Sequence, residues 1–326
     1  MDSLIFAFGA VAPLIITVAL GFIIKKTGLV NTDIAKPLNK IVFRLLLPCL
    51  LFSNIYKIQS FSGIGGGYII YAVAATFIMF LLSVPYSFFV TKDKSRRSVI
   101  MQGIFRSNYA LIGIPLAESL FKSEGTAVAT LLSAVAIPLF NILAVITLTV
   151  FGDSGEKADI KKVFKGIVKN PLIISVFAGL AVLGIRALFV EWNISFRLSD
   201  ITPAFTVLDY LSRCATPLAL LVLGIQFEFS TANELKREII LGTVGRLVFV
   251  PVICLSAAYL LFNFEGAHYA AFVAIFATPV AVSSVPMAQE MGADVKLAGQ
   301  LVIWNTIFSG LTIFIYAFVL KLLGIF

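Results

Sequence analysis

The stretch Gly113-Ile-Pro-Leu-Ala-Glu118 occurs a second time as Ser284-Val-Pro-Met-Ala-Gln289, 171 positions further along the chain. Seven residues before the proline of each copy stands another helix-disrupting residue, Asn108 in the first copy and Pro279 in the second. Each copy therefore predicts an apolar helix that is interrupted partway along its length.

Two other landmarks repeat in the same order. Arg44-Leu-Leu-Leu-Pro48 recurs as Arg213-Cys-Ala-Thr-Pro217, and Pro13-Leu-Ile-Ile-Thr-Val recurs as Pro171-Leu-Ile-Ile-Ser-Val. Three matches in one order indicate that the chain consists of two related halves. Helices broken at corresponding places in two halves are the best sequence-level pointer to the binding site of a transporter.

The composition predicts an all-α, polytopic membrane protein embedded in the lipid bilayer. Hydrophobic residues make up 60% of the chain and charged residues 13%, whereas soluble proteins have about 45–50% and about 25%. The net charge of +8 does not indicate a nucleic-acid partner, because the basic residues lie in short loops between apolar segments. The longest charge-free stretches, each long enough for a membrane span, are 3–24, 58–91, 125–152, 266–289 and 297–320.

We predict ten transmembrane helices, arranged as five plus five. The halves are residues 1–151 and 170–326, joined by a polar, basic linker at 152–169. An odd number of spans in each half forces the second half to insert upside down, which makes the pair an inverted repeat. The expected spans are 4–24, 38–56, 67–90, 98–120, 126–150, 170–189, 204–227, 238–262, 267–289 and 297–323.

The lysines and arginines predict the orientation in a cell membrane. With the N-terminus outside, 16 of the 25 fall in cytoplasmic loops and 5 on the outer side. Positive residues favour the cytoplasmic side, so both termini are expected to be extracytoplasmic and the 152–169 linker cytoplasmic. No basic region precedes the first apolar run, so that run is expected to be a retained span rather than a cleaved signal peptide.

The interrupted helices carry the functional hypothesis. We expect the fourth span to unwind from Asn108 to Pro115 and the ninth from Thr278 to Pro286, and the two prolines to meet at one crossing. Half-helix N-termini at the crossing would offer N–H groups to an anion, and the Asn108 amide would donate to a carboxylate. The alternative is that these prolines only kink their helices, as prolines do in many membrane proteins. Expected site residues beside these are Gly113, Pro279, Ser283 and Ser284.

Four arginines lie inside expected spans, where a charge is expensive and marks a pathway or a structural pair. Arg106, two residues before Asn108, is the best candidate to hold an anion, with a structural pair as the alternative. Arg246 is expected to snorkel from the inner end of its span. Arg44 and Arg213, each four residues before a proline, are equally compatible with bracing the fold, with pairing to a nearby carboxylate such as Asp209, and with touching a ligand.

The stretch from Asn108 to Pro115 resembles the Asn-x4-Gly-x-Pro motif of the auxin efflux carrier family, which includes plant PIN-type carriers and bacterial malonate or malate permeases. Leu47-Pro-Cys-Leu-Leu-Phe52 is also similar to this family, as is the span count over nearly the whole chain. The resemblance implies a fold akin to sodium/proton antiporters and bile-acid symporters, with broken helices 4 and 9 crossing. Asn108, Pro115, Pro279 and Pro286 match the crossing of that family, with Asn108 as the carboxylate contact.

The resemblance also implies how such a protein would move. Spans 1, 2, 6 and 7 would form a scaffold and a homodimer interface, while spans 3–5 and 8–10 would carry organic anions in an elevator-type motion. The sequence departs from the family at Ala281-Val282, where no second asparagine stands at the crossing, so the substrate preference of the family cannot be transferred.

Sodium or proton coupling has three candidate residues. Glu118 and Gln289 are equivalent positions, each three residues after a matched proline, and Glu290 follows directly. The alternative for Glu118 is an interfacial carboxylate near the outer surface. The further polar candidates inside spans are Gln102, Asn141, Gln300 and Asn305.

We therefore predict a secondary carrier that exports or exchanges small organic anions, with a receptor of organic acids or a sodium-coupled bile-acid-type symporter as alternatives. An enzyme is not expected, since the lone His268 has no ligand-spaced partner and no nucleotide-binding motif is present. No cofactor or metal is expected. Cys49, Cys214 and Cys254 are expected to be buried free thiols.

Overall fold

The computed structural model describes residues 2–57, 66–151, 164 and 167–325. In these ranges the chain is helical, and the only β-type pairing is an isolated antiparallel bridge between Ser107 and Val280. Most of the expected 152–169 linker lies outside the described residues. The prediction of an all-α membrane protein is confirmed.

The helices of the described ranges differ widely in length, from six residues to 38. In chain order they are α1 (Asp2–Lys26), α2 (Ala35–Ile41), α3 (Leu47–Tyr56), α4 (Gly66–Val90), α5 (Lys94–Phe105), α6 (Ile114–Phe151), α7 (Pro171–Glu191), α8 (Thr202–Gln226), α9 (Phe229–Glu234), α10 (Lys236–Val244), α11 (Val250–Phe262), α12 (Gly266–Phe276), α13 (Ser284–Glu290) and α14 (Val295–Leu322). Short 3-10 turns occupy Thr32–Ile34 and Leu198–Asp200.

Three π-helical turns lead directly into helices: Val42–Leu46 into α3, Tyr109–Gly113 into α6 and Gly245–Phe249 into α11. Each ends two residues before a proline, at Pro48, Pro115 or Pro251. A proline lacks the N–H that a helix needs and clashes with the carbonyl four residues earlier, which falls inside the π turn in each case. The widened turn therefore accommodates the proline without ending the helix.

Seven helical segments of the described ranges are long and apolar enough to cross a membrane. They are 32–56, 66–90, 109–151, 171–191, 202–226, 236–262 and 295–322. The first expected span coincides with α1, which is 25 residues long. The fourth and ninth expected spans are interrupted, so neither forms one continuous helix. The ten-span count stays a prediction.

The long segment 109–151 has a break of its own. Phe121 and Lys122 depart from helical geometry, and Lys122 has a φ of 49°. This kink falls at the boundary between the fourth and fifth expected spans, in the short connection that the sequence predicted between 120 and 126.

The two expected interruptions exist, but their extents differ from the prediction. In the first, only residues 106–108 are non-helical, because residues 109–113 form the π turn. The expectation that unwinding extends from Asn108 to Pro115 is therefore wrong. In the second, residues 277–283 are non-helical and α13 begins at Ser284, before Pro286. In the second copy unwinding stops earlier because a proline is tolerated in the first turn of a helix. In the first copy it stops earlier because the π turn accommodates Pro115.

Helix α1 packs against α8 at very short range through two glycines. A Cβ atom on Gly224 would lie 2.0 Å from the carbonyl oxygen of Val18, and one on Gly21 would lie 2.1 Å from that of Leu221. Only glycine allows this approach of two backbones.

On the side where α5 begins, Arg96 joins three helices. Its Nη1 donates to Glu238 Oε1 on α10 and its Nε to Asp294 Oδ2 just before α14, each at 3.1 Å. Partial burial lowers the pKa of Arg96, but these two bonds and the charges of both carboxylates outweigh it and raise the pKa above its ordinary value. The bonds fasten α5, α10 and α14 together.

The cysteines are free, as expected, but only Cys254 is buried. Cys49 is partly exposed and Cys214 is exposed, so the expectation of burial is wrong for both. Cys214 lies four residues after Tyr210 and seven after Val207, which places all three on one face of α8. Val207 and Tyr210 are also exposed, since this face packs against no described part of the chain.

Candidate functional site

The two interruptions contact each other. The backbone N–H of Asn108 donates to the carbonyl oxygen of Pro279 at 2.8 Å, and the hydroxyls of Ser107 and Thr278 lie 2.9 Å apart. Each of these pairs is separated by 171 residues, the same offset as the sequence repeat. Corresponding positions of the two copies therefore meet at the crossing. Pro115 and Pro286 lie seven residues beyond it in sequence, in the first turns of α6 and α13.

Arg246 is fully buried and holds the crossing together. Its guanidinium donates to the carbonyl oxygens of Thr278 at 2.8 Å, Ile104 at 2.9 Å and Ile275 at 3.0 Å. Ile104 and Ile275 lie in the last turns of α5 and α12, where carbonyl groups have no partner within the helix and a positive charge is favoured. The expectation that Arg246 snorkels to the interface is wrong, because these freed carbonyls bind it inside the protein.

Arg106 is a second buried cation at the crossing, with 3% of its surface exposed. Its guanidinium donates to Gln102 Oε1 at 3.0 Å, Asn141 Oδ1 at 2.9 Å and Ser283 Oγ at 2.8 Å, and it also contacts Met287 Sδ. None of these partners is charged. In the part of the chain that the structure describes, no carboxylate lies within ion-pair distance of Arg106. A buried charge normally has a counter-charge, and the described residues provide none for Arg106.

A cavity of about 150 Å³ lies directly beside Arg106. One side is formed by the interruptions and by α6, and the other by α3, α7 and α8. Among the described residues that line the cavity, Arg106 is the only one with a charged side chain. The residues that line the cavity are Leu47, Leu50, Leu51, Asn54, Arg106, Ser107, Asn108, Tyr109, Ala110, Leu111, Ile137, Phe140, Asn141, Leu172, Ala215, Thr216, Ala219, Ala281, Val282 and Ser283.

Asn108 adds a free hydrogen-bond donor to this cavity. The residue is 5% exposed, and its Nδ2 has no partner among the described residues. Buried polar atoms in native proteins are almost always bonded. Of the backbone N–H groups that follow Asn108, those of Ile112 and Gly113 donate to the Asn108 carbonyl, whereas the earlier ones start a helix and have no acceptor within it. The arrangement suits an acceptor group of a ligand.

Three predicted site residues line the cavity: Arg106, Asn108 and Ser283. The other predicted site residues, Gly113, Pro115, Pro279, Ser284 and Pro286, lie outside its lining. Gly113 has a packing role, because a Cβ atom there would lie 2.7 Å from the carbonyl oxygen of Ala274 on α12.

The candidates for ion coupling do not converge on one point. Gln289 Oε1 accepts from Asn39 Nδ2 at 2.8 Å and from Gln226 Nε2 at 3.1 Å, and Gln289 Nε2 donates to the Lys36 carbonyl at 3.2 Å. We call Asn39, Gln226 and Gln289 the amide cluster. It joins α13 to α2 and α8.

The two carboxylates have different surroundings. Glu290 forms an ion pair with Arg44 at 3.3 Å, beside the amide cluster. Glu118 lies on α6 and is exposed, which agrees with the interfacial alternative. Arg213 pairs with Asp209 one turn earlier on α8 at 2.6 Å, as one of the sequence alternatives proposed.

The profile of the family described as membrane transport protein matches residues 6–317, nearly the whole chain. The chain belongs to this family. It is the auxin efflux carrier family that the motif around Asn108 resembles, so that resemblance is confirmed. The protein is a multi-pass membrane transporter and not an enzyme.

Known relatives of this membrane transport protein have a sequence identity of 22–24% to it. An "Uncharacterized transporter" of Methanothermobacter thermautotrophicus is 24% identical over 314 residues, covering 95% of this chain and 97% of the relative. A "Putative malonate transporter" of Rhizobium meliloti is 23% identical over 288 residues, covering 85% and 84%. A "Lysosomal cholesterol signaling protein" of Mus musculus is 22% identical over 327 residues, covering 92% of this chain and 36% of that protein.

Sequence reasoning on this membrane transport protein missed the polar residues that α3 and α8 contribute to the cavity. Asn54 on α3 and Thr216 on α8 line it. Asn54 lies outside the repeated stretches. Thr216 lies in the repeat Arg213-Cys-Ala-Thr-Pro217, but the first copy has Leu47 at this position, so no matched polar residue marks it. Asn39 and Gln226 were also missed. An amide among apolar residues inside a span is the one signal that would have marked Asn39, Asn54 and Gln226.

Proposed function

We propose that this transporter is a secondary carrier of small organic anions that binds a carboxylate at the crossing. The observation that carries the proposal is Arg106, a buried cation with uncharged partners that lines a cavity next to the unpartnered Asn108 amide. An incoming carboxylate supplies the counter-charge that Arg106 lacks and the acceptor that Asn108 lacks. The Rhizobium relative named for malonate, itself a carboxylate, supports this substrate class.

The proposal includes ten spans in two inverted halves. The equal offset of 171 residues at the crossing supports this arrangement, because corresponding residues meet where a pseudo-twofold axis passes. Span four then consists of α5 and the start of α6, and the kink at Phe121 and Lys122 separates it from span five. Span nine consists of α12 and α13.

The proposal also includes a moving body and a fixed one. The cavity lies between α3, α7 and α8 of the proposed scaffold and the crossing of the proposed transport domain. The Arg96 bonds that fasten α5, α10 and α14 support a transport domain that moves as one piece. An elevator-type stroke would carry the crossing along the wall formed by α3 and α8, and would break the amide cluster.

Membrane placement follows the charge bias. Both termini are extracytoplasmic in this proposal, the 152–169 linker is cytoplasmic, and the exposed face of α8 is the homodimer interface.

Coupling to sodium or protons through Glu118, Gln289 or Glu290 stays a prediction. Gln289 and Glu290 bond to α2, α8 and Arg44, which also gives them a role in holding the two bodies together.

The experiment is uptake of a panel of labelled carboxylates into proteoliposomes containing wild-type protein or Asn108→Ala. Loss of one hydrogen bond to a charged group costs about 1.5–3 kcal/mol, which predicts roughly ten- to a hundredfold weaker substrate affinity. Asn305→Ala is the control, since Asn305 is also a buried amide but does not line the cavity, and its substrate affinity should stay at the wild-type level. Equal affinity in wild type and Asn108→Ala would remove Asn108 from the site, and no uptake of any carboxylate would refute the proposed function.

A further inference from the structure

We infer that the cavity at the crossing accepts one negative charge, so that its ligand is a monocarboxylate or a dicarboxylate in its singly protonated form. The inference rests on the proposed function and concerns the same site. It separates this chain from a carrier of fully ionised malonate, the acid for which the Rhizobium relative is named.

The described lining of the cavity carries a single charged side chain, Arg106. Arg106 is always protonated, because an arginine does not lose its proton in proteins. Within the described lining no lysine and no second arginine is present, and no carboxylate offsets Arg106. One bound carboxylate therefore brings the site to neutrality.

The groups that can bind a carboxylate in this cavity lie at the crossing. Arg106, Asn108 and Ser283 belong to the crossing, whereas α3 contributes three leucines and the neutral Asn54 to the cavity. On the α6 side, Phe140 and Ile137 are also apolar. A ligand with its carboxylate at the crossing therefore places the rest of its body against side chains that are apolar or neutral.

A second ionised carboxylate would have no cation to pair with in this cavity. Leaving one buried charge of a pair uncompensated is strongly unfavourable in proteins. The dianion should therefore bind roughly a hundredfold or more weakly than a monoanion of the same shape.

The scaffold-side wall holds the residues that set this preference. Asn54 on α3 and Thr216 on α8 are its polar members, and both are neutral. A cation introduced at either position would supply the missing partner for a second carboxylate. Asn54 and Thr216 are thus the positions at which the number of accepted charges is decided.

The test compares malonate with its monomethyl ester, which has the same skeleton and one charge. Both acids compete with a transported labelled monocarboxylate for wild-type protein in proteoliposomes, at a pH where malonate is fully ionised. The ester should compete at roughly a hundredfold lower concentration than malonate. Lowering the pH should strengthen competition by malonate in proportion to its monoanion, while the ester changes little.

Asn54→Lys provides the converse measurement, with Thr216→Lys in its place if Asn54→Lys does not fold. Either variant should shift the preference toward malonate by at least about tenfold, or 1.4 kcal/mol. Equal competition by malonate and ester in the wild-type protein, or an unchanged preference in a folded lysine variant, overturns the inference while carboxylate transport still stands. Absence of transport for every acid overturns the proposed function itself.

Discussion

At the scale of single residues, the two buried arginines have opposite roles although both lie at the crossing. All three hydrogen bonds of Arg246 go to backbone carbonyls, so its charge is used to hold two helix ends. Arg106 bonds to neutral side chains and lines the cavity, so its charge is available to a ligand.

Arg246→Met should destabilise the protein strongly. The change leaves the carbonyls of Ile104, Ile275 and Thr278 unpaired inside the protein, and each unpaired buried group costs about 1–3 kcal/mol. The loss should be roughly 3 kcal/mol or more, measured as a lower thermal midpoint of the purified protein in detergent. Arg246→Lys should recover part of the loss, since an ammonium group can also donate to carbonyls.

Arg213→Met is the control for Arg246→Met. The Arg213 side chain is 77% exposed and pairs with Asp209 within α8, so its removal should change the midpoint little. Similar midpoints for Arg246→Met and Arg213→Met would show that Arg246 does not hold the crossing.

The sequence predicted Arg106 and Asn108 as site residues because both stand beside a repeated proline motif, and the cavity contains both. It could not predict the role of Arg246. The bond partners of Arg246 are backbone atoms 29, 32 and 142 residues away, and no side-chain type marks a carbonyl that is free to accept.

At the scale of helices, uninterrupted apolar segments were predicted closely. The third expected span, 67–90, corresponds to α4 (Gly66–Val90), and the sixth, 170–189, to α7 (Pro171–Glu191). The extent of the two helix interruptions was not predicted correctly, because it depends on contacts between distant segments of the chain. Residues 106–108 are non-helical where they pair with 278–280, whereas Pro115 is accommodated by a π turn.

Gly224→Val should disrupt the packing of α8 on α1. The first carbon of the new side chain would lie 2.0 Å from the Val18 carbonyl oxygen, so the two helices must separate. Overpacking costs about 1–3 kcal/mol when only side chains yield, and here a backbone must move. The thermal midpoint and the yield of folded protein should both fall.

Gly184→Val on α7 is the matched control, since a Cβ atom there meets nothing within 4 Å. It should fold with nearly the wild-type midpoint. If Gly224→Val matched Gly184→Val in midpoint and yield, the close contact between α1 and α8 would not contribute to the fold.

At the scale of the whole molecule, composition and repeats were enough to predict an all-α membrane transporter of the family to which the chain belongs. The cavity could not be predicted, because part of its wall comes from α3 and α8, and the repeated stretches on these helices do not indicate which of their side chains face the crossing. Its position between these helices and the crossing follows from packing alone. This position supports our proposal that the crossing moves against α3 and α8.

The central claim is that the crossing is exposed to each side of the membrane in turn. The most direct measurement is labelling of Ala281→Cys by an impermeant thiol reagent, in a variant lacking Cys49, Cys214 and Cys254, in intact cells and in inside-out vesicles. Ala281 lines the cavity, whereas Ala277→Cys is a control at a buried position outside it.

The account predicts that Ala281→Cys is labelled from both sides, that a bound carboxylate slows labelling from each side, and that Ala277→Cys is labelled from neither. Labelling of Ala281→Cys from one side only, in the presence and absence of carboxylate, would contradict it.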